Sequence, residues 1–237
     1  MNLYNKSFKC KGSIDEWKRY LQELRDPRTD KSIIYSRFVS YDFCYNYFQD
    51  FYVNNKTKDI ASKANLNLSC LKLAFYLASW GMYRKGAQSH MSYKIYEEVI
   101  KKISNEQELW KYDVDDYIDE NKCENIIEFK EEIRSCLIEC FNKNDEKGAV
   151  SDLLATKIML GTFGCVPAID TYFRRFIGHA TLNHNSLSDI HSCYLAHKEL
   201  IDTFLIKTLN EDYCETPHKY KKARLIDYAG FCIGKKL

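Results

Sequence analysis

Residues 160–175 read LGTFGCVPAIDTYFRR and join two apolar helical patterns through a short break. The first pattern covers residues 149–163 and ends at Gly164. Pro167 suits the first turn of the next helix, because proline has no N–H group that would be left unpaired there. Asp170 is then expected in that first turn, where the helix dipole and free backbone N–H groups stabilise a carboxylate. The stretch therefore predicts two helices joined by a tight turn. Asp170 is either a catalytic residue or only a residue that stabilises the start of the second helix.

Helical patterning extends over the rest of the chain. A capping box formed by Ser13 and Glu16 starts the first helix. Further helices are predicted over residues 33–53, 66–80, 93–103, 123–141, 168–177, 192–209 and 220–232, with a surface turn of helix over 113–120. No alternating strand pattern with a two-residue turn stands out. The chain has only 3 Pro and 9 Gly, too few turn-forming residues for a β-sandwich or barrel. We predict an all-α fold, with one compact multi-helix domain over residues 1–237 and two helical lobes around a cleft as an alternative arrangement.

The charge balance and the cysteines restrict the location and partners of the chain. It carries 35 basic and 33 acidic residues, so a nucleic-acid surface must be a local patch. Its start has no long apolar stretch and no apolar run is long enough to span a bilayer, so we expect a cytoplasmic protein without membrane contact. The ten cysteines form no CxxC pair and are expected to be reduced, buried apolar residues. The histidines and Cys193 between His179 and His197 are too loosely spaced for zinc, and we predict no metal, no cofactor and a monomer.

The break at residues 163–175 resembles the region after the hairpin in the helix-hairpin-helix DNA glycosylases, the superfamily of endonuclease III, the mismatch adenine glycosylase and the archaeal 8-oxoguanine glycosylases. The matching residues are Phe163-Gly164, Val166-Pro167, Ile169-Asp170 and Phe173-Arg174-Arg175. The resemblance implies the glycosylase fold and an enzyme that flips a damaged or modified base out of double-stranded DNA and excises it. It also implies that Asp170 is the catalytic carboxylate, which stabilises charge on the sugar or polarises an attacking water or amine.

Three departures from the family pattern bear on the activity. The hairpin of typical members reads Leu-Pro-Gly-x-Gly, whereas residues 147–152 read KGAVSD and keep only Gly148. The lysine of bifunctional members is replaced by Asp152, and neither Lys147 nor Lys157 has the family spacing. The four-cysteine iron–sulfur loop of endonuclease III is also absent from the sequence. These departures predict a monofunctional N-glycosyl hydrolase without lyase activity.

Aromatic and acidic residues elsewhere in the chain form a predicted base pocket. Asp227 and Phe231 lie one helical turn apart and share a face of the last predicted helix. They resemble the Asp and Trp that face the extruded base in archaeal 8-oxoguanine glycosylases, where a ring stacks and a carboxylate accepts hydrogen bonds. The alternative is that Asp227 only forms an ion pair with Arg224 or a lysine. Trp80 and Tyr172 complete the predicted pocket.

Basic residues near these stretches, and the remaining hairpin glycine, are predicted to contact the DNA backbone. The set is Arg84, Lys85, Gly148, Lys157, Arg174, Lys221 and Lys222.

Two other functions remain open from the sequence. Arg174 and His179 form Arg-x4-His, which resembles the motif of HEPN-type ribonucleases, all-α proteins that cleave RNA at a dimer interface. The chain also fits a non-enzymatic helical module that binds nucleic acid or protein. A glycosylase requires Asp170 at the mouth of an aromatic pocket, whereas a sealed Asp170 favours the non-enzymatic alternative. The identity of the base, and whether it arises by damage or by deliberate modification of foreign DNA, stays open.

Overall fold

The computed structural model describes residues 8–25, 37–84, 87–143 and 150–237, which are mostly helical. The α-helices are α1 Ile14–Arg25, α2 Val39–Val53, α3 Leu66–Ser79, α4 Glu97–Asn105, α5 Glu120–Lys143, α6 Asp152–Thr162, α7 Thr171–Ile177, α8 His184–Ala196, α9 Lys198–Ile201 and α10 Lys222–Lys236. Short 3-10 helices cover Thr57–Ala61, Ala87–His90, Tyr93–Tyr96 and Val114–Ile118. Two strands, β1 Lys207–Leu209 and β2 Glu215–Lys219, form an antiparallel pair. The all-α prediction is confirmed as a class.

Local capping signals account for where the first helix begins. The hydroxyl of Ser13 accepts the N–H of Glu16 at 3.2 Å, and the Glu16 carboxylate accepts the N–H of Ser13 at 3.1 Å. This reciprocal pair is the predicted capping box, and it satisfies two N–H groups that the first turn leaves unpaired. The buried face of α1 then carries Trp17, Tyr20 and Leu21 against the core.

The predicted helix over residues 192–209 is wrong at its C-terminal end. The chain leaves α8 at Ala196, forms the short α9, and then enters β1. Side chains of α2 hold this strand: Asp42 accepts the N–H of Leu209 at 2.8 Å, and Asn46 donates to the Leu209 carbonyl at 2.8 Å. The strand is therefore fixed by tertiary hydrogen bonds that the local sequence pattern does not reveal.

One buried cluster joins side chains from all ten α-helices of the described chain. Within it, α10 packs closely against α7 because two glycines face that helix. A Cβ atom at Gly234 would overlap the carbonyl oxygen of Tyr172, and one at Gly230 would lie 2.7 Å from the rings of Phe173 and Phe176. This close approach places the start of α7 beside α10, which carries Asp227.

The cysteine prediction is wrong at one pair. Cys10 and Cys193 form a disulfide with a Cα–Cα distance of 5.0 Å, which ties the segment before α1 to α8. The other cysteines of the described residues are free. Within the described part of the chain, no helix combines the length and apolar character needed to cross a membrane.

Candidate functional site

A small cavity brings together residues that the sequence nominated from four separate segments. Trp80 lies at the C-terminal end of α3, Lys157 lies on α6, Asp170 precedes α7, and Asp227 and Phe231 lie on α10. All five side chains line the same cavity. The close packing of α7 on α10 is what brings the two carboxylates to one place.

The turn that carries Asp170 is held by side chains of two other helices. The N–H of Ala168 donates to Asp227 Oδ1 at 2.9 Å, and the N–H of Ile169 donates to Thr156 Oγ1 at 3.0 Å. These backbone N–H groups are buried, so each needs an acceptor. Because side chains supply the acceptors, the segment stays extended and leads directly into the cavity wall.

Asp170 is the N-cap of α7 and not a residue of its first turn, so this detail of the prediction is wrong. Its Oδ1 accepts the N–H of Tyr172 at 2.9 Å and that of Phe173 at 2.8 Å, and the helix begins at Thr171. Pro167 accordingly lies in the extended segment before the helix. The second oxygen, Oδ2, accepts no hydrogen bond from any described residue. Burial raises the pKa of Asp170, and the two N–H groups act in the opposite direction.

Lys157 lies inside the cavity wall and not on a DNA-facing surface, so the predicted phosphate contact does not fit its position. Its side chain is 5% exposed, and its Nζ lies 4.6 Å from the ring centre of Trp80. It forms no hydrogen bond or ion pair with any described residue. Burial lowers the pKa of Lys157, while the charges of Asp227 and Asp170 act to raise it. The site therefore contains a desolvated amine near two carboxylates.

Arg224 is the most deeply buried charge of the site. It is 1% exposed, and its Nη1 donates to Asp227 Oδ2 at 2.5 Å. Its guanidinium carbon also lies 4.4 Å from the ring centre of Tyr41. The pKa of Arg224 is raised: burial is the largest single influence and acts to lower it, but Asp227 together with Tyr220, Tyr41 and Tyr76 outweighs burial. The ion pair that the sequence offered as the alternative role of Asp227 is present, and the same carboxylate also anchors the turn at Ala168.

Three N–H groups at this site are buried without an acceptor among the described residues. They are Nε and Nη2 of Arg224 and Nε1 of Trp80. Native proteins pair most buried donors, so a cluster of unpaired ones marks a place where a ligand can supply acceptors.

The mouth of the cavity is aromatic and nearly closed. The rings of Phe38, Trp80, Tyr228 and Phe231 line it and are each half-buried. Phe38 contacts both Trp80 and Tyr228 edge to face, at 5.5 and 5.6 Å between ring centres. Tyr172, the other predicted pocket residue, does not line the cavity and only contacts the lining residue Phe231, at 5.1 Å between ring centres. The space between the lining side chains is about 10 Å³, room for about one water molecule. A larger ligand enters only if these rings move apart. In this closed form the site lacks the open aromatic pocket that a glycosylase requires, and a capped Asp170 at a nearly closed cavity is what the non-enzymatic alternative predicts.

Exposed arginines flank this aromatic rim. The guanidinium of Arg37 lies 5.0 Å from the ring centre of Trp80, and that of Arg175 lies 5.7 Å from the ring centre of Tyr172. Arg84, one of the predicted DNA contacts, is exposed just after α3. The rim therefore combines ring faces with positive charge, as a surface that binds nucleic acid does.

The basic run before α10 does not form the predicted phosphate-contacting patch. The ammonium of Lys221 donates to the carbonyls of Trp110 and Tyr112 at 2.7 and 2.9 Å, and burial lowers its pKa. Lys222 pairs with Asp115 at 2.5 Å. Both lysines line the wide cavity of about 530 Å³ beside β2. Because both charges are already neutralised or enclosed, neither Lys221 nor Lys222 is free to contact a phosphate.

The remaining nominated residues lie apart from the cavity or outside the description. Arg174 is partly buried, and its Nε has no acceptor among the described residues. His179 Nε2 lies 2.7 Å from Asp189 Oδ2, which engages the ring that a ribonuclease of the HEPN type would need. Lys85 and Gly148 fall outside the described residues.

Sequence reasoning missed five residues that line the cavity, and also Arg37 beside its rim. The five are Arg224, Phe38, Tyr76, Leu160 and Tyr228. The sequence signal available for Arg224 was its spacing of three residues from Asp227, which places both side chains on one helical face. The aromatic residues carried no local signal that distinguished them from core residues.

Within the described residues, no group of three His, Cys, Asp or Glu side chains is arranged to hold a metal ion. No family model, curated protein or solved structure matches this chain.

Proposed function

We propose that this protein is a DNA glycosylase-like enzyme that takes one damaged or modified base out of double-stranded DNA and cleaves its N-glycosidic bond. The supporting observation is the convergence of Trp80, Lys157, Asp170, Asp227 and Phe231 in one cavity. These residues come from distant parts of the chain. Helix stability alone does not require that they meet.

Asp170 is the carboxylate of this reaction. Two backbone N–H groups fix its Oδ1, which leaves Oδ2 to face the positive charge that develops on the sugar as the base departs. Water attacks C1′ of the sugar, the base leaves with the electrons of the glycosidic bond, and the departing base takes up the proton that the water loses. The aromatic rim stacks on the extruded base, an interaction worth about 1–3 kcal/mol per base on such surfaces.

The direct test is base release by the purified protein. Duplex oligonucleotides that each carry one modified base are incubated with the chain, and alkali then cleaves the strand at every abasic site. We expect strand cleavage with at least one modified base and none with the unmodified duplex. If no duplex is cleaved, whether its modified base is deaminated, oxidised or alkylated, the proposal is refuted.

A second candidate activity is favoured by the position of Lys157. The sequence predicted a hydrolase without lyase activity because Asp152 occupies the family position of the lysine. A buried amine beside Asp170 supports an alternative in which the neutral Nζ attacks C1′, and the base leaves with the bond electrons and takes up a proton from the amine. The C1′–O4′ bond then opens, O4′ takes up a proton from solvent, and the resulting iminium links protein to DNA.

Borohydride separates the two activities, because hydride reduces an iminium to a stable amine. A covalent protein–DNA band in the wild type and in Lys235→Gln, but not in Lys157→Gln, supports the lyase. Lys235 is the control because it is exposed on α10. Base release without a band supports the hydrolase.

A further inference from the structure

The unpaired donors of the cavity restrict what a bound base must present. Nε and Nη2 of Arg224, together with Nε1 of Trp80, are buried and lack acceptors among the described residues. Arginine and the tryptophan indole donate hydrogen bonds but cannot accept them. The group that completes this site must therefore offer acceptors.

The free edge of Arg224 has a specific shape. Nη1 is committed to Asp227, whereas Nε and Nη2 form the other edge of the planar guanidinium and direct two N–H bonds in parallel. Such a fork matches two adjacent acceptors. In nucleic acids the common partner is the O6 and N7 pair of a purine with a carbonyl at C6.

Charge argues for a neutral ligand. The cavity holds two cations, Lys157 and Arg224, and two carboxylates, Asp170 and Asp227. A phosphate would meet both carboxylates, and an alkylated, positively charged base would meet the guanidinium. A neutral base with a carbonyl group is repelled neither by the carboxylates nor by the guanidinium.

We infer that the cavity reads a 6-oxopurine with an unprotonated N7, with Arg224 as the specificity-determining residue, and that its substrate is hypoxanthine in DNA. This inference rests on the proposed function. Hypoxanthine is the 6-oxopurine that arises when adenine loses its amino group. Guanine presents the same O6 and N7, but a damaged or mismatched base costs less to extrude from the duplex than a normally paired one, which favours hypoxanthine. Adenine presents an amino donor at position 6, and 8-oxoguanine carries a hydrogen on N7, so neither matches the fork. Trp80 and the other rim rings move outward to admit the base, because the present space holds about one water molecule.

Binding measurements test this assignment without depending on turnover. Asp170→Asn is titrated by fluorescence anisotropy with duplexes that carry hypoxanthine, 7-deazahypoxanthine, adenine or 8-oxoguanine at one position. In 7-deazahypoxanthine a C–H group replaces N7 and removes one acceptor. We expect hypoxanthine to bind at least about tenfold more tightly than each of the other three, the scale of discrimination given by one bidentate contact. Equal binding of hypoxanthine and its 7-deaza analogue overturns the inference. Displacement of the DNA by equimolar free hypoxanthine also overturns it, because the preferred ligand would then be the free base and not the base in DNA.

Wild-type base release distinguishes failure of this inference from failure of the proposed function. If the wild type excises another base and leaves hypoxanthine in place, the glycosylase proposal stands and the assignment of the base is overturned. Arg224→Lys keeps a positive charge for Asp227 but lacks the planar fork, so its preference for hypoxanthine over the 7-deaza analogue is expected to vanish. Trp80→Phe keeps the ring and removes one donor, and we expect it to retain that preference. Circular dichroism confirms that each variant is folded before binding is compared.

Discussion

Replacement of Asp170 by asparagine separates its structural task from its proposed chemical one. The amide oxygen of the new side chain can still accept the N–H groups of Tyr172 and Phe173, which now lie 2.9 and 2.8 Å from Oδ1. Asparagine and aspartate are equivalent N-caps, so we expect the capping contribution to the free energy of unfolding to change by less than about 0.5 kcal/mol. Asp170→Ala removes the cap and should cost about 1–2 kcal/mol.

The effect of Asp170→Asn on activity is expected to be much larger. An amide cannot offset the charge that develops on the sugar, and loss of one such electrostatic group typically reduces the rate about 10²- to 10³-fold. Base release is measured under single-turnover conditions, and stability is measured by urea unfolding. Asn183→Ala is the matched control, because Asn183 caps α8 through a 3.0 Å bond to the N–H of Ser186 and lies outside the cavity lining. It should lose about as much stability as Asp170→Ala and keep its activity. Base release by Asp170→Asn within about threefold of the wild-type rate would refute the catalytic role, since the expected loss is far larger.

The pH dependence provides an independent check on the same residue. Burial raises the pKa of Asp170 above its ordinary value of 3.8 in the folded state. The wild type therefore binds more protons when folded and loses stability as the pH rises through that raised pKa. Asparagine does not titrate, so Asp170→Asn should gain stability relative to the wild type as the pH rises from 3.8 towards neutrality. A stability difference that is constant over this window would contradict the raised pKa.

Three further changes test the framework around the cavity. Asp227→Asn should lower the free energy of unfolding, measured with urea, by about 3–5 kcal/mol because it leaves the buried Arg224 without its carboxylate. The double variant that also carries Arg224→Met should recover much of that loss. An absence of recovery would contradict the pairing of Asp227 with Arg224. Gly234→Ala should cost about 1–3 kcal/mol because the added methyl group overlaps the backbone of α7, and an unchanged melting temperature would argue against this packing. Joint replacement of Cys10 and Cys193 by serine should cost up to about 5 kcal/mol, given a sequence separation of 183 residues; identical urea midpoints with and without dithiothreitol would exclude the disulfide in solution.

Local signals in the sequence were sufficient for most helices and for the candidate carboxylate. The capping box of Ser13 and Glu16 and the apolar pattern of α3 act within one or two turns, so the sequence carries them in full. The helix start at Asp170 was predicted close to its real place because proline and aspartate favour that region for local reasons. Its exact role as N-cap depends on Asp227 and Thr156, which are distant in sequence.

Long-range pairing explains what the sequence did not reveal. Lysine and arginine are usually surface residues, so nothing local marks Lys157 and Arg224 as buried. Only the packing of α3, α6 and α10 buries them together. Lys222 lies in a basic run that suggests DNA contact, yet Asp115 neutralises it from 107 positions away. The Cys10–Cys193 bond spans even more of the chain. Periodicity describes one element at a time, and these contacts join elements.

The two carboxylates of the cavity differ in what already holds them, and this difference assigns their roles. Asp227 has both oxygens engaged, one by the N–H of Ala168 and one by Arg224. Asp170 has one oxygen committed to its helix and the other free of hydrogen bonds from the described residues. Asp227 therefore suits a positioning residue that fixes both the turn before Asp170 and the plane of the guanidinium. In the proposed function, the task of reading a base, which the sequence suggested for Asp227, is therefore given to Arg224, because Nε and Nη2 of its guanidinium have no acceptor among the described residues.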